Sequence, residues 1–97
     1  MNSDRFDTFR VGLIFPMSGP FGIIGPSSEL SAQLARDELN ASAGVLGRRV
    51  ELMSIDGGRD PVTVAHEVAT LLDAGALDAV AGMHTSAVRR AVIPVTL

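Results

Sequence analysis

Apolar and polar segments alternate along the chain in a regular order of apolar run, loop and helix. The first apolar run, from Val11 to Phe15, contains no polar residue and is stopped by Pro16. A continuous apolar run of this length predicts a strand that is covered on both faces. A second strand is predicted from Val50 to Ile55 and a third from Leu77 to Ala81. Alternating strand-like and helix-like segments indicate a parallel α/β sheet.

Three helices are predicted in the segments that follow these strands. The first runs from about Ser27 to Ser42, and polar residues recur along it at helical spacing while leucines occupy its other faces. Its polar stripe consists of Glu29, Gln33, Arg36 and Asn40. We expect this helix to be mostly enclosed. The second helix has Asp60 as its N-cap and Pro61 in its first turn, and the third begins at about Ala87 and is kinked or ended by Pro94.

The expected fold is a three-layer α/β/α arrangement around a parallel sheet of Rossmann-like type. Residues 1–10 form a predicted polar N-terminal tail, and residues 11–97 hold the strands and helices of part of one lobe. Three strands with open edges and a short last helix bury a modest area for this class of fold. We therefore expect an N-terminal fragment that is truncated after its third strand–helix unit.

Composition excludes several classes of function. The chain has no cysteine, which rules out disulfides, thiolate catalysis and cysteine metal ligands. Its net charge is -3, its eight basic residues are scattered arginines, and it has no Trp or Tyr to stack on bases, so direct nucleic-acid binding is not expected. No apolar run approaches the roughly 18 to 20 residues needed for membrane insertion. The first ten residues lack a secretory signal, which predicts a cytoplasmic protein if Met1 is the true start.

The loop at residues 82–86 contains the strongest candidate for binding. Gly82 permits a tight turn, Ser86 is the predicted N-cap of the third helix, and the first amides of that helix are unpaired donors suited to a carboxylate, amide or phosphate oxygen. The alternative is that Ser86 only caps its helix. Right-handed crossovers bring the loops after all three strands to one edge of the sheet, where open α/β sheets bind ligands. Ser18 in the first loop and Ser86 are therefore expected along one rim.

The remaining polar residues give little support for an enzyme. Asp56 follows a strand, but no acidic partner accompanies it in its loop, so neither a phosphoacceptor nor a metal site is predicted there. The glycines of the first loop do not form a phosphate-binding motif. His84 either packs against a planar ligand amide or faces solvent, and both interpretations stay open, whereas His66 lies on a polar helical face. We expect no catalytic residue, no metal and no cofactor.

Several segments in the same order resemble the N-terminal lobe of type I periplasmic-binding-protein-like receptors. They are residues 11–20, 38–40 with 44–52, 56–61 and 82–95. This family includes the substrate-binding proteins of branched-chain amino-acid, urea and short-chain amide transporters. The stretch from Thr85 to Pro94 is most similar to the urea and amide branch, and the resemblance as a whole spans residues 11–97.

The resemblance implies two α/β lobes joined by a hinge that close over a small polar ligand, with the second lobe missing from this chain. Carried over by position, Ser86 matches the family serine that contacts a ligand carboxylate or amide, Ser18 lies in the first cleft loop, and Thr85 and His84 are neighbours of Ser86. Ile24 and His84 stand where branches of the family have aromatic residues. Those departures leave the identity of the ligand open.

The resemblance predicts a binding function and not catalysis. The chain is expected to be the lobe of an ABC-transporter substrate-binding protein that takes an amino acid, urea or a short-chain amide, works outside the cytoplasm and partners a membrane permease. One alternative is a cytoplasmic amide-sensing receptor that controls an amidase-type operon through a regulatory partner. A truncated, nonfunctional remnant is another, and an enzyme of flavodoxin-like architecture is more remote.

Overall fold

The computed structural model describes residues 7–82 and 85–96. The elements in chain order are β1 (Thr8–Phe15), a single 3-10 turn (Gly22–Ile24), α1 (Gly25–Ser42), β2 (Arg49–Asp56), α2 (Pro61–Asp73), β3 (Ala79–Gly82) and α3 (Ser86–Thr96). This order confirms the predicted alternation of strands and helices. The bounds differ by a few residues, since β1 begins at Thr8 instead of Val11 and β3 begins at Ala79 instead of Leu77.

The three strands form one parallel sheet in the order β2-β1-β3. β1 lies in the centre and pairs with β2 along its whole length, so that Phe15 lies opposite Asp56 at their carboxyl ends. On its other side, Ile14 of β1 lies opposite Gly82 of β3. The loops that follow the three strands therefore start at the same edge of the sheet, as the crossover argument predicted.

The main hydrophobic core lies between one face of the sheet and the pair of helices α2 and α3. It consists of Ile14, Ile55, Val64, Ala65, Val68, Leu77, Val88 and Val92. Ile14 faces this core, whereas Leu13 and Phe15 line a depression beside α1, because successive side chains of a strand point to opposite faces. The sheet is thus covered by α1 on one face and by α2 and α3 on the other, which is the predicted three-layer arrangement.

The expectation that α1 is mostly enclosed is wrong. Leu30 and Leu34 are 58% and 56% exposed, whereas the four residues of the polar stripe are half-buried and thus less exposed than these leucines. The reason is that α1 lies against β2 partly through polar contacts: the Asn40 amide donates to the Val50 carbonyl at 3.0 Å and accepts from the Val50 amide at 2.8 Å. Periodicity showed where the two faces of the helix lie, but not which of them meets the sheet.

A carboxylate ties the strands together at the amino edge of the sheet. The Asp78 side chain accepts from the Arg10 amide at 2.8 Å and lies 3.2 Å from the Arg48 guanidinium. Arg48 also donates to the Thr8 carbonyl and lies over the ring of Phe9. These contacts hold β1 to the segments that precede β2 and β3. They lie at the opposite end of the strands from the loops that contain Ser18 and Ser86.

None of the helices in the described ranges is both long and apolar enough to cross a bilayer.

Candidate functional site

A small open depression of about 160 Å³ lies at the carboxyl edge of the sheet, where the three loops meet. The first loop contributes Ser18 and Phe21, and the second contributes Gly58 and Arg59. Thr85, at the start of α3, lines the same depression. Two of the residues predicted from the sequence, Ser18 and Thr85, therefore line one concave surface although they come from opposite ends of the chain.

The N-cap of α3 is Thr85, and the prediction that Ser86 caps this helix is wrong. The Val88 amide donates to Thr85 Oγ1 at 3.3 Å, and the Arg89 amide donates to the Thr85 carbonyl at 3.0 Å. Ser86 is the first helical residue and is exposed. Both residue types are good N-caps, so adjacent Thr and Ser could not be distinguished from the sequence.

For Ser86 and His84 the outcome differs from that for Ser18 and Thr85, which line the depression. Ser86 lies at the rim next to Thr85 but is not among the residues that line the depression. His84 falls outside the described residues, so the prediction for it stays a prediction. Ile24 borders the separate depression beside α1.

Asp56, at the carboxyl end of β2, organises the first two loops. Its Oδ2 accepts from the Ser18 hydroxyl at 2.6 Å. Its Oδ1 accepts from the amides of Met17 and Gly58 at 2.8 and 2.9 Å. This role of Asp56 is not predicted from the sequence, where only a metal or catalytic role comes into question for it. One local signal in the sequence indicates part of this role. An Asp followed by Gly-Gly favours a turn in which the carboxylate accepts a hydrogen bond from the amide two residues later.

The first two loops are in direct backbone contact. A β-carbon on Gly58 would lie 2.0 Å from the carbonyl oxygen of Ser18, and one on Gly19 would lie 2.9 Å from the carbonyl oxygen of Gly58. Gly19 also adopts a left-handed φ of 73°. Only glycine fits both positions without displacing a backbone. The position of Ser18 is therefore fixed from two sides, by the Asp56 carboxylate and by the backbone of Gly58.

The surroundings of Asp56 lower its pKa below the usual value for an aspartate. Partial desolvation raises the pKa, but the hydrogen bonds from Ser18, Met17 and Gly58 and the charge of Arg59 together lower it by more. Hydrogen bonds and a nearby cation favour the ionised form. Asp56 is therefore a carboxylate at neutral pH, and it can only accept hydrogen bonds.

Arg59 lines the depression but already has partners. Its Nε donates to the Asp56 carbonyl at 3.0 Å, and its guanidinium pairs with the Glu67 carboxylate on α2. These contacts hold the guanidinium along the second loop. In the described part of the chain, no group of three His, Asp or Glu side chains is placed to bind a metal ion.

With this geometry established, the chain can be assigned to a family. The family model described as periplasmic binding protein matches residues 8–97. The chain therefore belongs to the periplasmic binding protein family, which confirms the resemblance noted in the sequence.

Curated relatives and solved structures agree with this assignment. The chain is 38% identical over 61 residues to the Leu/Ile/Val-binding protein BraC3 of Rhizobium johnstonii, a match that covers 60% of this chain and 17% of that protein. It is 34% identical over 47 residues to Leu/Ile/Val-binding protein homolog 7 of Brucella abortus, which covers 48% of this chain and 12% of that protein. The chain thus spans less than a fifth of the length of these relatives.

Among solved structures, the chain is similar to the branched-chain amino acid transporter substrate binding protein LivJ of Streptococcus pneumoniae in complex with isoleucine. The TM-score is 0.78 at 29% identity, and the match covers 92% of this chain and 26% of that one. A possible leucine/isoleucine/valine-binding protein from Rhodopirellula baltica gives a TM-score of 0.77 at 23% identity, covering 93% and 24% of the two chains. The second match supports the fold alone.

Proposed function

We propose that this chain is the first part of a lobe of an ABC-transporter substrate-binding protein that binds a small aliphatic amino acid. The observation that carries the proposal is the meeting of Ser18 and Thr85 in one depression at the carboxyl edge of a parallel sheet. Ligands of open α/β folds bind at this edge. The family assignment and the names of the relatives support a binding function over catalysis.

The chemistry of the rim suits the carboxylate of an amino acid. Thr85 Oγ1 accepts from the Val88 amide, so its hydroxyl proton is still available to a ligand oxygen. Ser86 lies beside it at the start of α3, where the helix dipole favours negative charge. We assign Thr85, Ser86 and His84 to the carboxylate end of the ligand. Phe21 and Val88 supply apolar surface in the same depression.

The relatives favour an amino acid over the other ligands considered. Both curated relatives are named for leucine, isoleucine and valine, and LivJ was solved with isoleucine bound. None of the relatives described above is named for urea or an amide, so the resemblance of residues 85–94 to the urea and amide branch is the one observation that favours the amide-sensing alternative. By family, we place the protein outside the cytoplasmic membrane, where it delivers its ligand to a membrane permease.

Titration calorimetry on the full chain as its gene encodes it tests this proposal. L-leucine, L-isoleucine, urea and acetamide are titrated separately under the same conditions. Saturable heat with the two amino acids and none with urea or acetamide is the expected result. Saturation with urea or acetamide alone would move the protein to the amide branch, and no heat with any of the four would overturn the proposal.

A further inference from the structure

Arg59 is the only charged side chain among the described residues that line the depression at the carboxyl edge. The other lining residues are neutral, and a ligand that fills the depression would take water away from this guanidinium. A charge that loses water without gaining a partner is costly. The ion pair that Arg59 makes therefore bears directly on which ligands the depression accepts.

Two contacts hold the side chain of Arg59. Its Nε donates to the Asp56 carbonyl at 3.0 Å, and its Nη2 pairs with Oε1 of Glu67. Glu67 lies on α2 and is not among the residues that line the depression. Both side chains of the pair are partly exposed, at 36% for Arg59 and 40% for Glu67. The charged end of Arg59 is thus tied to α2, while the residue itself remains part of the lining.

Asp56 does not take the place of Glu67 as the partner of the guanidinium. Its carboxylate already accepts from the Ser18 hydroxyl and from the amides of Met17 and Gly58, and the contact with Arg59 goes to its backbone carbonyl instead. In the described part of the chain, Glu67 is the carboxylate that forms an ion pair with Arg59. If this pair were removed, a carboxylate of the ligand would be the nearest replacement.

We infer that Glu67 is a positioning residue for specificity: by pairing with Arg59 it neutralises the one charge in the lining, so that the depression selects amino acids with uncharged side chains. An acidic side chain in the depression finds no free cation while the pair is intact. The inference rests on the proposed function and deepens it, because it names the pair that excludes an acidic amino acid. Glu67 acts through Arg59 without contacting the ligand.

Three amino acids test this role in calorimetric binding and displacement experiments on the full chain as its gene encodes it. L-Leucine is the bound ligand, and L-glutamate and L-glutamine compete with it. Glutamine has nearly the shape of glutamate without the charge, so the ratio of their affinities isolates the side-chain carboxylate. Glu67→Gln should raise this ratio at least about tenfold, the size expected for a hydrogen bond between charged groups, and keep L-leucine affinity within about threefold. An unchanged ratio, or no displacement by glutamate, would overturn the inference.

A double-mutant cycle with Arg59 separates this role from a structural one. In an Arg59→Gln background, Glu67→Gln should change the ratio less than about twofold, because no guanidinium is left to release. A gain for glutamate that persists without Arg59 would overturn the inference. A purely structural role of Glu67 would lower the affinity for all three amino acids together and leave the ratio as it was.

Asp73→Asn is the matched control for net charge. Asp73 is an exposed carboxylate on the same helix as Glu67, so its removal changes the charge of the protein by the same amount. It should leave the ratio unchanged, and an equal gain for glutamate in Asp73→Asn would overturn the inference. If Glu67→Gln folds poorly, Glu67→Ala takes its place with the same expected gain, since alanine is the best helix former.

Failure of this inference is distinguishable from failure of the proposed function. If the wild-type protein does not bind L-leucine or L-isoleucine at all, the proposed function fails. If it binds them and the ratio does not respond to Glu67, the proposed function stands and the role given to Glu67 falls.

Discussion

Gly58 lies against Ser18 so closely that a β-carbon on it would be 2.0 Å from the Ser18 carbonyl oxygen. This approach joins the loop after β2 to the loop after β1, and both loops form walls of the depression at the carboxyl edge. The shape of the candidate site therefore depends on a backbone contact as well as on its polar side chains.

The first prediction concerns this contact. Gly58→Ala should lower the free energy of unfolding by about 1 to 3 kcal/mol, because the added methyl group must push one loop backbone away from the other. Gly47→Ala is the control: Gly47 has a left-handed φ of 73° but no atom near its missing β-carbon, so its cost is limited to about 1 to 2 kcal/mol of backbone strain.

Ligand affinity distinguishes the two glycine variants. Only Gly58→Ala should weaken amino-acid binding, since Gly47 is remote from the depression. Denaturant unfolding and calorimetry on both variants provide the measurements. A Gly58→Ala protein with unchanged stability and affinity would show that the two loops do not touch as described.

The second prediction separates helix capping from ligand binding at the start of α3. Thr85→Ala should cost about 1 kcal/mol of stability because it removes the acceptor of the Val88 amide. Ser86→Ala should leave stability within about 0.5 kcal/mol but weaken binding by about 1 to 3 kcal/mol, because we assign its hydroxyl to the ligand carboxylate. Thermal unfolding and calorimetry on the same preparations measure both effects. Loss of stability in Ser86→Ala with unchanged affinity would contradict the assignment.

The third prediction concerns pH. The pKa of Asp56 is lower in the folded protein than its ordinary value of 3.8, which applies in the unfolded chain. A lowered pKa contributes stability that is fully present above the unfolded pKa and is lost as pH falls through the folded pKa. Wild type should therefore exceed Asp56→Asn in stability near neutral pH, and the difference should shrink below about pH 4. Urea unfolding between pH 3 and 7 measures it, and a constant difference would contradict the charged hydrogen bonds of Asp56.

The fourth prediction tests the core between the sheet and α2. Val64→Ala should destabilise the protein by about 2 to 3 kcal/mol, since Val64 is fully buried and its removal leaves a cavity. Val62→Ala, two residues earlier on the same helix, is the control, because Val62 is 73% exposed and its truncation should change stability by less than about 0.5 kcal/mol. Similar losses in both variants would mean that α2 faces the sheet with another side.

Local signals in the sequence predicted part of this structure well. Asp60 accepts from the Val62 amide at 3.1 Å and Pro61 opens α2, as the N-cap and first-turn preferences indicated. His66 is exposed, as its helical face implied. The meeting of Ser18 and Thr85 was also within reach, because it follows from parallel topology and not from the details of any side chain.

Other features depend on contacts between distant parts of the chain and could not be predicted. Asp56 bonds Ser18 across 38 residues, and nothing in either local segment identifies the other as its partner. The exposure of Leu30 depends on which elements cover α1 and not on the pattern of α1 itself. The choice between Thr85 and Ser86 as N-cap depends on a shift of one residue at the start of a helix, which residue preferences do not resolve.

Amide chemical shifts of the full chain, titrated with L-isoleucine, test the central claim most directly. We expect the largest shifts on Ser18, Gly58 and Thr85, which come from three different segments that line one depression, while Arg10 and Asp78 at the opposite edge stay unchanged. Saturating L-isoleucine that shifts only residues at the amino edge, or none at all, would contradict the placement of the ligand site at the carboxyl edge of the sheet.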